Sequence, residues 1–579
     1  MAAPHTSVNG QRTTTAASTE VSKSTAPSTY KQNGTSTVSP IDATYEPSDS
    51  SKNEAEKDIT GTEYLKGLPL QLLVLALCLT VLLIALDISI VATALPRITD
   101  TFNSVTDIGW YAAAFTFTTA TLQPLSGKIY TYFPQKHVYI AFVAVFELGS
   151  ILCGTAQSSA MFIVGRAVAG MGGSGLINGA LSILATVSVP SSRPMFMGLV
   201  MAVAGCGQIL GPLVGGALTE SVSWRWCFYI NLPAGGLTLL LLFFVRFPPG
   251  SEKPQKHFVP KTIVKDFDII GFGLFCPAII MFMLALQWGG THYAWNSATI
   301  IGLLVGFVVM LGPLAWWEHR QKDDAMFPST LLRIRVFHCA CITAFLAGGS
   351  LLVLGYYLPL WFQTVKLTNA FHSAIDTLPS FLSQMLFAVV AGALCPRLIP
   401  FLTPFAIIGA ILSTIGAGLM TSFHPATSTR LWIGYQILSG AGRGLYMQIP
   451  VQTAQQHVPK SSLAVGTAVV SFFQFFGGSI FVAVAQTLFS NMLKKYLKLY
   501  APDVDPSLVL GSGATDVRSL VPADQVAGLV KAYNEAIVKT LYLAVGCAAL
   551  GLPFVFGLGW KRVERKVKVN KVKGEAGEK

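Results

Sequence analysis

Fourteen long apolar segments alternate with short polar ones along this chain of 579 residues. Each segment has about 20 residues or more, which is the length that an α-helix needs to cross the hydrocarbon layer of a membrane. Hydrophobic residues make up 52% of the chain and charged residues only 12%, about half the charged fraction of a soluble domain. The sequence therefore predicts an all-α polytopic membrane protein with 14 transmembrane helices.

The apolar segments form two sets of six with an inserted pair between them. The first set covers 68–93, 108–126, 137–156, 160–188, 195–219 and 226–247, the pair covers 269–288 and 298–317, and the second set covers 337–358, 374–395, 400–420, 430–451, 462–489 and 536–559. Residues 1–64 are rich in Ser, Thr and Pro and poor in apolar side chains, so they predict a disordered tail. The predicted organisation is a cytoplasmic tail at 1–64, a first six-helix half at 65–247, a linker with two extra helices at 248–336, a second half at 337–560 with a long outer loop at 490–535, and a basic cytoplasmic tail at 561–579.

Basic residues favour one orientation of these helices. If the N-terminus is cytoplasmic, the loops and the tail placed inside carry more than twice as many Lys and Arg residues as the loops placed outside. Lys and Arg are retained on the cytoplasmic side of membrane proteins. We therefore assign the formal net charge of +12 to membrane topology and predict no nucleic-acid partner.

Asp87, Glu147 and Arg166 are ionisable residues inside predicted spans. A charged side chain in the hydrocarbon is costly, so each should face a cavity or a partner. An arginine does not release its proton, but it keeps a neighbouring carboxylate charged. All three are therefore candidates for proton coupling, and Glu147 equally suits a cationic substrate. The alternative for each is a fixed hydrogen bond or charge pair that only orders the helices.

A glycine ladder occupies the fifth predicted span. Gly207, Gly211 and Gly215 recur every four residues and so form one smooth helix face, while Pro212 interrupts the backbone hydrogen bonds and Gly216 follows the ladder. Such a face lets another helix approach closely. The ladder predicts a pivot between two helical bundles, or, in the plainer interpretation, ordinary packing of membrane helices.

Four glutamines inside or at the ends of predicted spans are candidates for a polar substrate path, namely Gln123, Gln208, Gln448 and Gln474. Hydrogen bonding from helix to helix is the alternative for each of them. The chain contains no G-x-x-x-x-G-K-[ST] phosphate loop, no H-E-x-x-H and no G-x-S-x-G motif. The sequence therefore predicts neither an ATP-driven pump nor an enzyme, and no cofactor or metal.

Several strings resemble those of the fourteen-span drug:proton antiporters of the major facilitator superfamily, in particular fungal multidrug and mycotoxin efflux pumps. They are Leu86-Asp87-Ile-Ser-Ile-Val-Ala-Thr93-Ala-Leu95-Pro96, Arg166-Ala-Val-Ala169-Gly170-Met-Gly172, Gly207-Gln-Ile-Leu-Gly211-Pro212-Leu-Val-Gly215-Gly216 and Trp224-Arg225-Trp226-Cys-Phe228-Tyr-Ile230-Asn231-Leu-Pro233. Three positions depart from the family pattern: Ala169 replaces a glutamine, and in the loop after the second span Thr131 stands where an acid is expected and Pro134 where a glycine is expected.

The resemblance implies a major facilitator fold and proton-coupled export of hydrophobic or amphipathic small molecules by alternating access. It implies that Asp87 takes a proton, that Arg166 tunes its affinity and that the glycine ladder lets the halves rock. The partners would be a small-molecule substrate, protons and the lipid bilayer, and the protein would be a monomer in the plasma membrane, with the vacuolar membrane as the alternative. Carriers for siderophore-bound iron and for basic amino acids, which have similar span numbers, remain alternative functions.

The two sets of spans also echo each other. Gly442-Arg443 in the twelfth span corresponds to Gly165-Arg166 in the fourth, and Gln474-Phe-Phe-Gly477-Gly478 in the thirteenth corresponds to the glycine ladder. Parallel repeats of this kind place the substrate site between the two halves, near the middle of the membrane.

Overall fold

The computed structural model describes residues 56–57, 63–102, 108–247, 266–290, 293–368, 370–394, 399–506, 509, 522 and 524–562. Helices dominate these residues. A two-stranded antiparallel pair, β1 (Glu56–Lys57) and β2 (Glu63–Tyr64), precedes the first helix. The rest of the predicted tail 1–64, residues 248–265 of the predicted linker and the tail after Arg562 lie outside the described residues.

The first set of helices follows the first six predicted segments. Its members are α1 (Gly67–Phe102), α2 (Ile108–Tyr132), α3 (Gln135–Gly154), α4 (Ser159–Val187), α5 (Arg193–Ser221), α6 (Trp226–Tyr229) and α7 (Asn231–Phe244). Only Ile230 separates α6 from α7, and the two together occupy the sixth segment.

The inserted pair and the second set follow in the predicted order. They are α8 (Ile269–Trp288), α9 (Ala298–Gln321), the short α10 (Ser329–Leu332), α11 (Arg335–Thr364), α12 (Ala370–Leu394), α13 (Thr403–Met420), α14 (Thr429–Tyr446), α15 (Ile449–His457), α16 (Leu463–Tyr500) and α17 (Val526–Phe556). The twelfth predicted segment contains two helices, because α14 ends before Met447 and Pro450 lies in the first turn of α15.

Twelve described helical segments are long and apolar enough to cross a membrane. The other two predicted spans correspond to α2, which is rich in Thr and carries Lys128, and to α14 with α15, which contain Arg443 and several glutamines. The all-α polytopic organisation is confirmed. Fourteen spans are consistent with these helices, and that number remains a prediction, as do the segment boundaries assigned from the sequence.

The long outer loop predicted at 490–535 is helical at both ends, because α16 continues to Tyr500 and α17 begins at Val526. Leu493 and Leu497 are buried one turn apart, while the lysines between and beside them are exposed. These charges end the apolar segment, but the helical spacing of the buried side chains continues beyond it. The apolar run therefore underestimates the length of the helix.

Equivalent helices pack in the same way within each set. In the first set α1 packs on α5 and α7, and α4 packs on α2 and α3. In the second set α11 packs on α16 and α17, and α14 packs on α12 and α13. Two equivalent contacts, α5 with α12 and α2 with α16, join the sets, and α8 of the inserted pair also touches α2 and α16. This arrangement is that of two parallel repeats.

The two sets share a hydrophobic core at one end of the bundle. It includes Leu73 near the start of α1 and Leu558 just after α17, and it joins Leu184 of α4 to Val465 of α16. At the other end, each set has a core of its own, one around Ile90 and Phe162 and one around Trp361 and Leu493. The halves are therefore packed together at the end where the described chain begins and ends.

Candidate functional site

Asp87 and Arg166 form an ion pair in the interior of the first set. Nη1 of Arg166 on α4 lies 2.5 Å from Oδ2 of Asp87 on α1. Both side chains are almost completely buried, with Asp87 0% and Arg166 1% exposed. A charge in such a place needs a partner of opposite sign, because the surrounding side chains solvate it poorly. Two of the three predicted coupling residues are thus in direct contact.

Helix α2 holds the guanidinium group in place from another side. Nε of Arg166 donates to the backbone oxygen of Tyr111 over 3.0 Å. The guanidinium carbon lies 4.7 Å from the centre of the Phe115 ring, in cation–π contact. The arginine therefore has one contact that depends on the charge of Asp87 and two that do not.

Asn231 and Ser150 complete the polar cluster, and neither was predicted as a site residue. Nδ2 of Asn231 on α7 lies 3.5 Å from Oδ1 of Asp87 and donates to Oγ of Ser150 on α3 over 3.1 Å. Both side chains are buried. In the sequence, Asn231 belongs to a string that resembles the family pattern, which does not by itself assign it to the site. A buried amide inside an apolar span was the available signal.

Glu147 lies one turn before Ser150 on α3 and is also buried. Neither carboxyl oxygen has a hydrogen-bond partner in the part of the chain that the structure describes. Its carboxyl group fills the space beside Gly235 of α7, where any side chain would collide with it. Gly235 lies one turn after Asn231, so Glu147 occupies the layer next to the Asp87–Arg166 pair and does not itself join the pair.

The glycine ladder brings α5 against α1, which belongs to the same set. A side-chain carbon at Gly207 would lie 2.7 Å from the backbone oxygen of Leu82, and one at Gly211 would overlap Ser89. Ser89 also donates its hydroxyl to the backbone oxygen of Gly207 over 3.2 Å. Gly216, in contrast, has no atom within 4 Å of that position. Pro212 lies within the continuous helix, and Gly215 accepts a weak contact from the Cys227 thiol through its backbone oxygen.

The same helix touches the other half earlier in its length. A side-chain carbon at Gly198 would lie 2.8 Å from the backbone oxygen of Ala388 on α12, and Gly392 of α12 packs directly against the Met195 backbone. Helix α5 therefore contacts α12 near its beginning and α1, beside Asp87, near its middle.

An open cavity of about 70 Å³ lies between the two sets. Its walls come from α5, α11, α12, α14 and α16. Three of the four predicted path residues, Gln208, Gln448 and Gln474, line it together with Gln384. Gln208 follows Gly207 directly, so α5 separates the cavity from the buried ion pair.

Gln123 does not line this cavity. It is completely buried on α2, and neither its amide nitrogen nor its amide oxygen has a partner among the described residues. Its place in a substrate path remains a prediction.

The end of α2, where the sequence predicts a loop after the second span, is helical and lies at the shared core. A side-chain carbon at Gly127 would lie 2.7 Å from Cβ of Ala468 on α16. Thr131, which replaces the expected acid, donates its hydroxyl to the backbone oxygen of Gly127 over 2.9 Å, and Nζ of Lys128 donates to that of Asp324 over 2.6 Å. The two halves meet here through a close approach of α2 and α16. This approach is possible because Gly127 has no side chain.

No group of three or more His, Cys, Asp or Glu residues that could hold a metal ion occurs among the described residues.

Known proteins are similar to this chain, some in sequence and others in fold alone. The family model described as Major Facilitator Superfamily matches residues 77–482. The MFS-type transporter pigP of Monascus ruber is 46% identical over 87% of this chain and 88% of its own length. The efflux pump mlcE of Penicillium citrinum is 41% identical over 89% and 95%, and the MFS-type efflux pump MFS1 of Trichophyton rubrum is 41% identical over 89% and 96%.

Among solved structures, the proton:xylose symporter XylE bound to 6-bromo-6-deoxy-D-glucose aligns with a TM-score of 0.56 over 86% of this chain and 97% of its own. Its sequence is 13% identical, so this likeness concerns the fold alone. The family model and the relatives of similar length decide the family: this chain is a multi-pass membrane protein of the Major Facilitator Superfamily.

Proposed function

We propose that this protein is a proton-coupled efflux transporter that exports hydrophobic or amphipathic small molecules by alternating access. The observation that carries the proposal is the buried Asp87–Arg166 pair, which α5 separates from a cavity between the two halves. Relatives that are 41% identical over nearly the whole chain are named efflux pumps. We also propose the plasma membrane as its location and a secondary metabolite, mycotoxin or drug as its cargo.

The coupling follows from the balance of charge. While Asp87 is ionised it neutralises Arg166, and a proton can bind it only as the ion pair weakens, because a protonated carboxyl leaves the arginine uncompensated. Tyr111 and Phe115 still hold the guanidinium group in that state. Proton binding therefore frees α1 from α4 without expelling the arginine.

Helix α5 transmits this change. It contacts α1 beside Asp87 through Gly207 and Gly211 and contacts α12 of the other half through Gly198. A shift of α1 would move the cavity wall at Gln208 and the contact between the halves at the same time. Inward movement of protons supplies about 2.3 kcal/mol per charge for each 100 mV of membrane potential, in addition to the pH difference.

The cavity argues against a carrier of basic amino acids, one of the alternative functions. A cationic substrate in a poorly hydrated cavity needs a carboxylate partner. The residues that line this cavity include an arginine and four glutamines but no Asp or Glu.

The test is the cellular accumulation of a panel of fluorescent drugs, fungal metabolites and an iron–siderophore complex, in cells with and without this protein. We expect lower accumulation of some amphipathic compounds in cells that contain the protein. Addition of a protonophore, which collapses the proton gradient, should abolish this difference. Higher accumulation of the iron–siderophore complex would establish import and overturn the proposal. Efflux that persists with the protonophore but stops on ATP depletion would overturn proton coupling.

A further inference from the structure

The two halves treat their equivalent arginines differently. Arg166 on α4 is neutralised by Asp87. Arg443 on α14 occupies the corresponding place in the second half, and no ion pair joins it to a carboxylate among the described residues. Asp376, one turn before Ser380 on α12, does not pair with it either. Of these two equivalent arginines, only Arg166 has a carboxylate partner among the described residues.

Arg443 is nonetheless buried, with 3% of its surface exposed. Nη2 donates to the hydroxyl oxygen of Ser380, and Nε has no partner in the part of the chain that the structure describes. A hydroxyl group accepts a hydrogen bond but carries no charge to balance a guanidinium group. Removing an unpaired cation from water is among the most costly events in folding, so an anion is expected to complete this site.

Arg443 lies in the wall of the cavity between the halves. The oxygen Oε1 of Gln384 and the nitrogen Nε2 of Gln448, on the same wall, also lack partners among the described residues. The remaining wall is largely apolar and includes Met201, Leu351 and Phe381. The cavity therefore presents a cation, a hydrogen-bond donor and an acceptor beside an apolar surface.

We propose that this cavity selects amphipathic organic anions, and that Arg443 pairs with the carboxylate of the cargo. Gln448 donates to a further oxygen of the same molecule, Gln384 accepts from one of its hydroxyl groups, and the apolar part lies against Met201, Leu351 and Phe381. This inference rests on the proposed efflux function in that it identifies the class of cargo. It accounts for the lack of a carboxylate partner of Arg443 among the described residues, because the substrate supplies the carboxylate.

The experiment measures binding to the purified full-length protein in detergent, so it does not depend on efflux. The probes are dansylamino-undecanoic acid, its methyl ester and dansylcadaverine, which carry one fluorophore with a negative, a neutral and a positive end. We expect the acid to bind at least about tenfold more tightly than the ester, as a charge-assisted pair predicts, and the amine to bind most weakly. Equal binding of acid and ester, or preference for the amine, would overturn the proposal.

Variants locate the selectivity. Arg443→Gln should reduce the ratio of acid to ester affinity to about one, while Arg443→Lys should keep most of it because the charge remains. Gln448→Ala leaves the arginine in place, so it should weaken the binding of both acid and ester and preserve the ratio of their affinities. This variant is measured in place of Arg443→Gln if Arg443→Gln does not fold. An unchanged ratio in folded Arg443→Gln would overturn the assignment. If the protein binds the acid selectively but no cellular efflux is found, the proposed function is contradicted, whereas the proposed anion site is not.

Discussion

At the scale of single residues, the site depends on one ion pair, in which Asp87 and Arg166 are the counter-charges of each other. Asp87 has Arg166 at 2.5 Å and the amide of Asn231 at 3.5 Å, and its side chain is completely buried. Removing one member of a buried pair typically costs about 3–5 kcal/mol, because the other charge remains uncompensated. Stability and coupling therefore have to be separated by experiment.

Asp87→Asn should abolish gradient-driven transport and also destabilise the protein, since Arg166 loses its counter-charge. The double variant Asp87→Asn with Arg166→Gln removes both charges and should recover most of the thermal stability but none of the coupling. Melting temperatures in detergent and protonophore-sensitive efflux measure the two effects. Gradient-driven efflux by the double variant would remove Asp87 from the coupling role.

Glu147→Gln tests the neighbouring carboxyl group. Because neither oxygen of Glu147 has a partner among the described residues, the nearly isosteric amide should change the free energy of unfolding by less than about 1 kcal/mol. If Glu147 accepts a proton during transport, the variant should bind cargo normally and show an altered dependence of efflux on external pH. If the variant shows the same dependence of efflux on external pH as the wild type, Glu147 has a purely structural role.

At the scale of helices, α5 is the element that connects the parts of the site. It touches α1 beside Asp87, lines the cavity through Gln208 and meets α12 of the other half. The sequence predicts that the ladder is either a pivot between two bundles or ordinary packing of membrane helices. The close approach at Gly207 and Gly211 is instead to α1 within the first half, and α5 reaches the second half through other residues.

Gly207→Ala should slow efflux, because the added carbon would lie 2.7 Å from the Leu82 backbone oxygen and force α5 away from α1. Such overpacking typically costs about 1–3 kcal/mol. Gly216→Ala is the matched control, since nothing lies within 4 Å of its added carbon, and it should transport at the wild-type rate. Rates are compared at equal amounts of protein in the membrane, and equal rates for both variants would show that the close approach is not required.

The helices themselves could be predicted from the sequence because apolar segments of sufficient length have few alternatives in a bilayer. The extension of α16 to Tyr500 was missed because lysines end the apolar run although the helix continues. The pairing of Asp87 with Arg166 was indicated by their chemistry. A buried amide inside an apolar span indicates Asn231 as polar, but its contacts with Asp87 and Ser150, and the lack of a carboxylate beside Arg443 among the described residues, depend on how neighbouring helices are rotated and aligned against each other.

At the scale of the whole molecule, the halves share a core at one end and have separate cores at the other. With both termini in the cytoplasm, as the distribution of basic residues predicts, this conformation is packed together on the cytoplasmic side. Transport then requires the shared core to separate and to form again in each cycle.

Gly127→Leu should slow this cycle, because a side-chain carbon at Gly127 would lie 2.7 Å from Cβ of Ala468 and 3.0 Å from the Ala464 backbone oxygen of the other half. We expect a loss of efflux of at least about tenfold, which corresponds to about 1.4 kcal/mol. Gly434→Leu, at a position with no atom within 4 Å, should keep the wild-type rate. A normal rate for Gly127→Leu would show that the halves need not close at this point.

Proton exchange for cargo can be measured directly in proteoliposomes that contain the purified protein and a pH-sensitive dye. The cargo is the compound with the strongest protonophore-sensitive efflux in cells. Its movement down an imposed gradient should drive protons in the opposite direction, and Asp87→Asn with Arg166→Gln should abolish that proton movement. Cargo movement without protons, or with protons in the same direction, would contradict the account of this protein as a proton-coupled exporter.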